Sequence, residues 1–281
     1  MTRERAKERA RARNRAILAV TALLFLAVGA ALGGLFLFRK LRDNRPPPLE
    51  TYTLLIPEGF TVEQTASKVE KDTEGSVTEE EFLTAARAGG YDYDFLSSAD
   101  GNLEGFLFPK TYEVTSETTA RGVVKKLLEQ YGLETESLDW SRAQQLGVTP
   151  YEVLIVASLI EEEAKVPEHR PLIASVIYNR LRKNMKLGID ATVQYALGEW
   201  KQELTYSDLE VDSPFNTYRI AGLPPAPICS PGFESIRAAL YPAQTDYIYY
   251  ILTGADGRHS FTADYAQFMR WKEERNSKNP S

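Results

Sequence analysis

The sequence predicts an α+β protein with an N-terminal transmembrane helix, a small first module and a larger mixed α+β body. Three observations carry this reading. Residues 16–38 form an uncharged apolar run. From residue 51 onward, strand-like segments alternate with amphipathic helical ones. A very apolar helix opens at Pro150 and ends in three consecutive acids, Glu161, Glu162 and Glu163.

The apolar run, AILAVTALLFLAVGAALGGLFLF, holds 23 residues between Arg15 and Arg39. As a helix it spans roughly 34 Å, enough for a hydrocarbon core of about 30 Å. A cleavable signal peptide would have a shorter apolar region ending in small residues. Here Leu35, Phe36, Leu37 and Phe38 continue past Gly33 and Gly34, so an uncleaved anchor fits better. Seven Arg and Lys precede the run and four follow it, which places the N-terminus in the cytoplasm. Residues 1–15 are then a cytoplasmic basic tail and 16–38 the span of a single-pass cell-membrane protein. Residues 39–50 form a linker stiffened by Pro46-Pro47-Pro48, with the body outside the membrane.

Of the formal net charge of −6, residues 1–15 hold +5 and residues 39–45 hold +3, so residues 46–281 hold −14. An acidic body lacks the basic face that phosphate neutralisation needs, which argues against nucleic acid as a partner. Cys229 is the sole cysteine, so no internal disulfide can form. With two histidines, His169 and His259, and no HExxH pattern, the sequence gives little support for a metal site.

Thr51 to Ile56 reads as a strand ended by Pro57-Glu58-Gly59. Val62, Thr65, Ala66 and Val69 recur at helical spacing, and Thr78 with Glu81 forms a capping box for a second helix. Residues 51–101 thus form a small α+β unit. The remainder, 102–275, begins with an aromatic, turn-rich stretch and a helical segment around 117–131. Thr149, Pro150 and Glu152 are an N-cap, a first-turn proline and the far half of a capping box. That helix should end before Pro167, and a second opens near Pro171. After Gly188 the chain reads as loop-rich, and GLPPAPICSPG (222–232) fixes a path suited to a cleft wall. Ser230-Pro231 starts another helix. TDYIYYILT reads as a buried strand and RHSF as its hairpin partner, joined by a turn at 255–257. A last helix covers about 264–275.

The acids at 161–163 point in three directions, because a helix turns about 100° per residue. Each side chain lies over positions i−3 and i−4. For Glu163 these are Ile160 and Leu159, the most apolar bed of the three. Desolvation and the negative end of the helix dipole both raise a carboxyl pKa there, which suits a general acid. A solvated acidic helix end fits the same local pattern, and spacing alone leaves both readings open.

Six ordered segments then bear on function: LEGFLFPKTY (103–112), VASLIEEEA (156–164), IASVIYNRLRKNMKLGIDATVQYALG (173–198), SPFNTYRIAGLPPAPICSPG (213–232), SIRAALYPA (235–243) and GRHSF (257–261). Together they resemble the MltG (YceG-like) endolytic murein transglycosylases. The family motif A-S-hydrophobic-hydrophobic-E-x-E places its catalytic glutamate on Glu163, with Glu161 structural and Glu162 at the variable position. The resemblance makes 51–101 a LysM-like subdomain and 102–275 the catalytic domain. It implies non-hydrolytic cleavage between MurNAc and GlcNAc of peptidoglycan glycan strands, leaving a 1,6-anhydro-MurNAc end, in cell-wall elongation. No cofactor or metal is implied. Asp190, Thr192, Asn216, Tyr218 and Glu104 become candidate substrate-binding residues. Cell-wall synthesis enzymes such as penicillin-binding proteins become candidate partners. Two positions depart from the family pattern: Gly188 replaces a usual glutamine and Ala226 a usual glycine.

Two rival functions are weighed against the sequence pattern. A non-catalytic, membrane-anchored peptidoglycan-binding or division scaffold would use the same anchor and first module but needs no embedded acid. A pyridoxal-phosphate lyase would need a lysine in a glycine-rich phosphate-binding context, and the sequence offers none.

Overall fold

The computed structural model describes residues 2–43, 49–254 and 256–278. The proline triplet 46–48 and Ala255 lie outside them. The chain divides into two units, Met1–Leu49 and Glu50–Ser281.

The first unit is helix α1, Thr2–Asp43. Its stretch Ile17–Lys40 is long and apolar enough to cross a membrane, with a mean hydropathy of 2.3. None of that stretch is buried by protein, and Phe25, Leu26 and Phe36 are at least 70% exposed. An apolar surface of this size needs lipid or a partner to cover it.

The second unit begins with β1 (Thr51–Leu55), α2 (Val62–Asp72) and α3 (Glu79–Arg87), and returns through β2 (Thr111–Thr115). β1 and β2 pair antiparallel, Thr51 opposite Thr115 and Leu55 opposite Thr111. The first module therefore closes with a strand beyond residue 101, where the sequence shows only an aromatic, turn-rich stretch. Thr61 with Gln64 and Thr78 with Glu81 both form complete capping boxes. Next come α4 (Ala120–Thr135) and the short α5 (Arg142–Leu146), which ends on left-handed Gly147.

Helix α6 (Pro150–Glu163) is the centre of the body. Its capping box is complete, with Thr149 Oγ1 accepting from the Glu152 N–H and Glu152 accepting from the Thr149 N–H. Replacing Thr149 by Ala is expected to lower stability by about 1 kcal/mol, read from urea unfolding midpoints at unchanged m-value. Val153 through Ile160 are buried on every side. α7 (Arg170–Arg182) and α9 (Phe233–Leu240) flank it. Between these two in chain order lies α8 (Asp190–Leu197), where the sequence predicted loop. α8 has no side-chain cap of its own. Instead, the Ile189 N–H donates to Thr217 Oγ1 at 2.9 Å, a partner 28 residues away that no local pattern reveals.

β3 (Tyr249–Leu252) and β4 (His259–Thr262) form the expected hairpin, and α10 (Tyr265–Lys278) packs on it. The buried strand expected here is only half-buried. Ile251 alone is buried, because a two-stranded sheet leaves one face open. The open face carries part of the site.

One core runs through the second unit: Leu54, Val69 and Phe82 of the first module share it with Phe106, Leu127, Leu154 and Ile177.

Candidate active site

A cleft of about 490 Å³ opens at the C-terminal end of α6. Glu163 sits in its wall, with Asp190 from the start of α8, Tyr218 from the 213–221 loop, Tyr250 from β3 and His259 from β4. Four basic side chains also line it: Lys165, Arg180, Lys272 and Arg275. Trp200 and Phe268 add aromatic faces.

The three acids have separate surroundings. Glu161 accepts the Gly232 N–H at 2.9 Å and lies 3.5 Å from Arg170, with its side chain only 8% exposed. It ties the N-terminus of α9 to α6. Glu162 is partly buried beside Cys229, and its Oε1 lies 3.0 Å from where a Cβ on Gly59 would be. Burial pushes its pKa up to about 7, opposed by a hydrogen bond with Cys229. Glu163 accepts a hydrogen bond from the Tyr250 hydroxyl on Oε2 at 2.9 Å. Burial raises its pKa, Tyr250 opposes the rise, and the nearby Asp190 charge adds to it. The apolar bed does not by itself single out Glu163, since Ala157 and Ser158 beneath Glu161 are as fully buried as Leu159 and Ile160. Glu162 lines the same cleft, so what sets Glu163 apart is the hydrogen bond from Tyr250.

Of the other sequence-predicted residues, two face the cleft and three do not. Tyr218 donates its hydroxyl to Asp190 Oδ1 at 2.5 Å, so an acid and a ring meet on one wall. Thr192 is fully buried; its hydroxyl donates to Ile189 O at 2.7 Å and lies 2.9 Å from Thr217 Oγ1. Asn216 is fully buried too, donating to Leu209 O and Val211 O and accepting from the Tyr218 N–H. Glu104 is 2% exposed and accepts from the Val62 N–H and the Tyr195 hydroxyl. Burial pushes its pKa up to about 8. These three are corrections to the expected sugar contacts. Their polar atoms are spent on protein partners, and they hold in place the loop and helix that present Asp190 and Tyr218.

Tyr250 and Arg180 also belong to the site, and no local sequence signal marks either. The Arg180 guanidinium donates from Nε to Ile248 O at 2.7 Å and also to Leu187 O, locking the approach to β3 against the segment before α8. Asn179 adds bonds to Thr245 O and Tyr247 O. The proline loop is seated by Ser158, whose hydroxyl accepts the Ile228 N–H. Gly188 lines the cleft at φ +56°, and a Cβ there would stand 3.6 Å from the Tyr218 ring. Glycine at this position leaves the cleft open beside Tyr218. Ala226 is buried in the proline loop.

His169 and His259 stand with their Nδ1 atoms 3.3 Å apart, and the His259 N–H donates to His169 Nδ1. Burial lowers both pKa values, that of His259 to about 4. Among the described residues no group of three or more His, Cys, Asp or Glu is placed to hold a metal ion.

An α+β body whose open, aromatic-edged cleft gathers Glu162, Glu163 and Asp190 defines a carboxyl-lined site able to transfer protons. The sequence profile of the YceG-like family matches residues 35–274, and the chain belongs to that family. It is 42% identical over 172 residues to the endolytic murein transglycosylase of Bacillus subtilis, covering 61% of this chain and 47% of that one. It is 32% identical to the endolytic murein transglycosylase of Streptococcus pneumoniae, covering 73% of this chain and 41% of the relative. The chain therefore spans less than half the length of these curated relatives. Its fold is similar to the crystal structure of a yceG-like protein from Listeria monocytogenes, with a TM-score of 0.69 and 32% identity over 78% of this chain and 75% of that one.

Proposed function

We propose that the protein is a membrane-anchored endolytic lytic transglycosylase of peptidoglycan, with Glu163 as its acid/base. The observation that carries this reading is the Glu163 carboxyl, partly buried, raised in pKa and facing an open cleft of about 490 Å³. Glu163 protonates the oxygen linking MurNAc to GlcNAc, and the bond to C1 breaks through an oxocarbenium-like state. The carboxylate then takes the proton of the C6 hydroxyl on the same MurNAc as that oxygen attacks C1. The product is a 1,6-anhydro end, and no water is consumed. Ordinary glycosidases pair their acid with a second carboxylate that activates water or attacks C1; an internal hydroxyl removes that need. Asp190 and Tyr218 form the sugar-facing wall.

In this reading α1 anchors the protein with its N-terminus in the cytoplasm, and the body works on the growing wall near penicillin-binding proteins. The unit from β1 to β2 serves as the LysM-like module that keeps glycan close. The same names on the relatives support the substrate class. A scaffold function is the alternative, and an embedded acid in a cleft favours the enzyme.

Glu162 offers an internal control. Glu162→Gln is expected to leave turnover within about twofold, because the amide copies the protonated acid that burial favours. Its effect falls on stability instead. The folded pKa of about 7 lies above the ordinary 4.5, so folding is favoured by this group at low pH and loses that favour as pH rises through 7. The variant should gain thermal stability relative to wild type between pH 5 and pH 8, followed by calorimetry. A loss of turnover as large as that of Glu163→Gln would show that the acid has been assigned to the wrong residue.

A further inference from the structure

We propose that Tyr250 is a positioning residue for the acid/base: its hydroxyl holds Oε2 of Glu163, so that Oε1 alone carries the proton to and from the substrate. This rests on the reading of Glu163 as the proton donor. Among the described residues, the Tyr250 hydroxyl is the one hydrogen-bond partner of the Glu163 carboxyl. The phenol has little freedom. Its strand pairs with β4, Tyr250 opposite Phe261, and its ring lies against His259 and Phe261 at centroid distances of 5.6 and 6.0 Å. Asn179 and Arg180 fix the backbone that leads into β3.

A carboxyl with one oxygen held in this way presents the other in a single direction. In the protonated acid, Tyr250 donates to the carbonyl-like Oε2 and the proton sits on Oε1. When Oε1 gives that proton to the glycosidic oxygen, negative charge develops on the carboxylate and the Tyr250 bond becomes charge-assisted and stronger. Oε1 then takes back one proton from the attacking hydroxyl, restoring the starting state. A bond that strengthens as charge develops stabilises the transition state more than the ground state.

Other groups facing Glu163 set the background. Asp190 on α8 raises its proton affinity; Lys165 past the end of α6 and Arg180 on α7 lower it. Glu162 is its neighbour on α6, Tyr218 bonds to Asp190, His259 on β4 is kept neutral by burial, and α10 adds Lys272 and Arg275 to the lining. Of these, none bonds the carboxyl directly.

The test is Tyr250→Phe in the full chain, acting on purified glycan strands across pH. The expected kcat falls about 10- to 100-fold, with KM changed by less than about twofold, because a hydrogen bond to a charged group is lost while the ring remains. The active acid is protonated, so activity falls as pH rises through its pKa. Removing a donor that favours the carboxylate moves this alkaline limb to higher pH. A residue that served only packing would leave the limb in place. A measurement on the unaltered Tyr250 supplements this: the infrared difference between wild type and Glu163→Gln should show the protonated Glu163 C=O stretch at a hydrogen-bonded frequency. A wild-type kcat with an unmoved limb in Tyr250→Phe, or a free C=O stretch, overturns the proposal. If Glu163→Gln is itself inactive in those cases, only the role of Tyr250 fails. If Glu163→Gln stays active, the reading of the site fails first.

Discussion

Glu163→Gln is expected to eliminate release of 1,6-anhydro-muropeptides from purified glycan strands, a loss on the order of 10³-fold or more in kcat. The amide keeps the size of the side chain and can still accept the Tyr250 hydroxyl bond, so the fold and the cleft should survive. What disappears is the proton. Of the neighbouring acids, Glu162 lines the same cleft but lacks the Tyr250 bond, and the other two are committed elsewhere. Glu161 is committed to Gly232 and Arg170. Asp190 is committed to Tyr218 and lies on another wall of the cleft. Glycan binding measured by co-sedimentation should be unchanged, which separates the loss of chemistry from the loss of the site. Products persisting at wild-type level would remove Glu163 from the mechanism.

Gly105→Ala is expected to carry the largest structural effect. Gly105 has φ +88°, and a Cβ there would lie 2.7 Å from both Cβ and Cγ of Pro227 and 3.2 Å from Leu154 Cδ2. The proline ring cannot rotate away, and Leu154 is fully buried on α6. Backbone strain and overpacking therefore add, for a destabilisation of about 2–4 kcal/mol. For a body of this size that lowers the melting temperature by about 5–15 °C. The contact joins the LEGFLFP segment to the proline loop, which does not line the cleft but packs behind it on Ser158 and Glu162, so any relaxation also shifts the end of α6. Activity should fall even at temperatures where the variant stays folded. An unchanged melting temperature would mean the two segments do not meet as described.

Local chemistry made much of the fold legible. Thr78 with Glu81, and Thr149 with Pro150 and Glu152, mark α3 and α6 because caps are satisfied within four residues. The β3–β4 hairpin was legible from strand composition and the intervening turn residues. β2 and α8 were not. β2 depends on pairing with β1, 60 residues earlier, and α8 depends on Thr217 as a distant cap partner. The site divides along the same line. Glu163 could be nominated from the apolar helix and the motif, and Asp190 and Tyr218 from their segments. Thr192, Asn216 and Glu104 sit in the same segments yet point inward, and segment matching does not distinguish a wall residue from its support. Tyr250 reaches Glu163 across 87 residues. Neighbouring tyrosines at 247 and 249 hid it, since only the hairpin geometry decides which ring faces the cleft.

The most direct measurement is mass spectrometry of the glycan fragments made by the wild-type chain in water enriched in heavy oxygen. An intramolecular attack by the C6 hydroxyl leaves ends lighter than reducing ends by one water and free of the label. Labelled reducing ends would show instead that water attacks C1, and that intramolecular attack driven by one acid is the wrong account of this cleft.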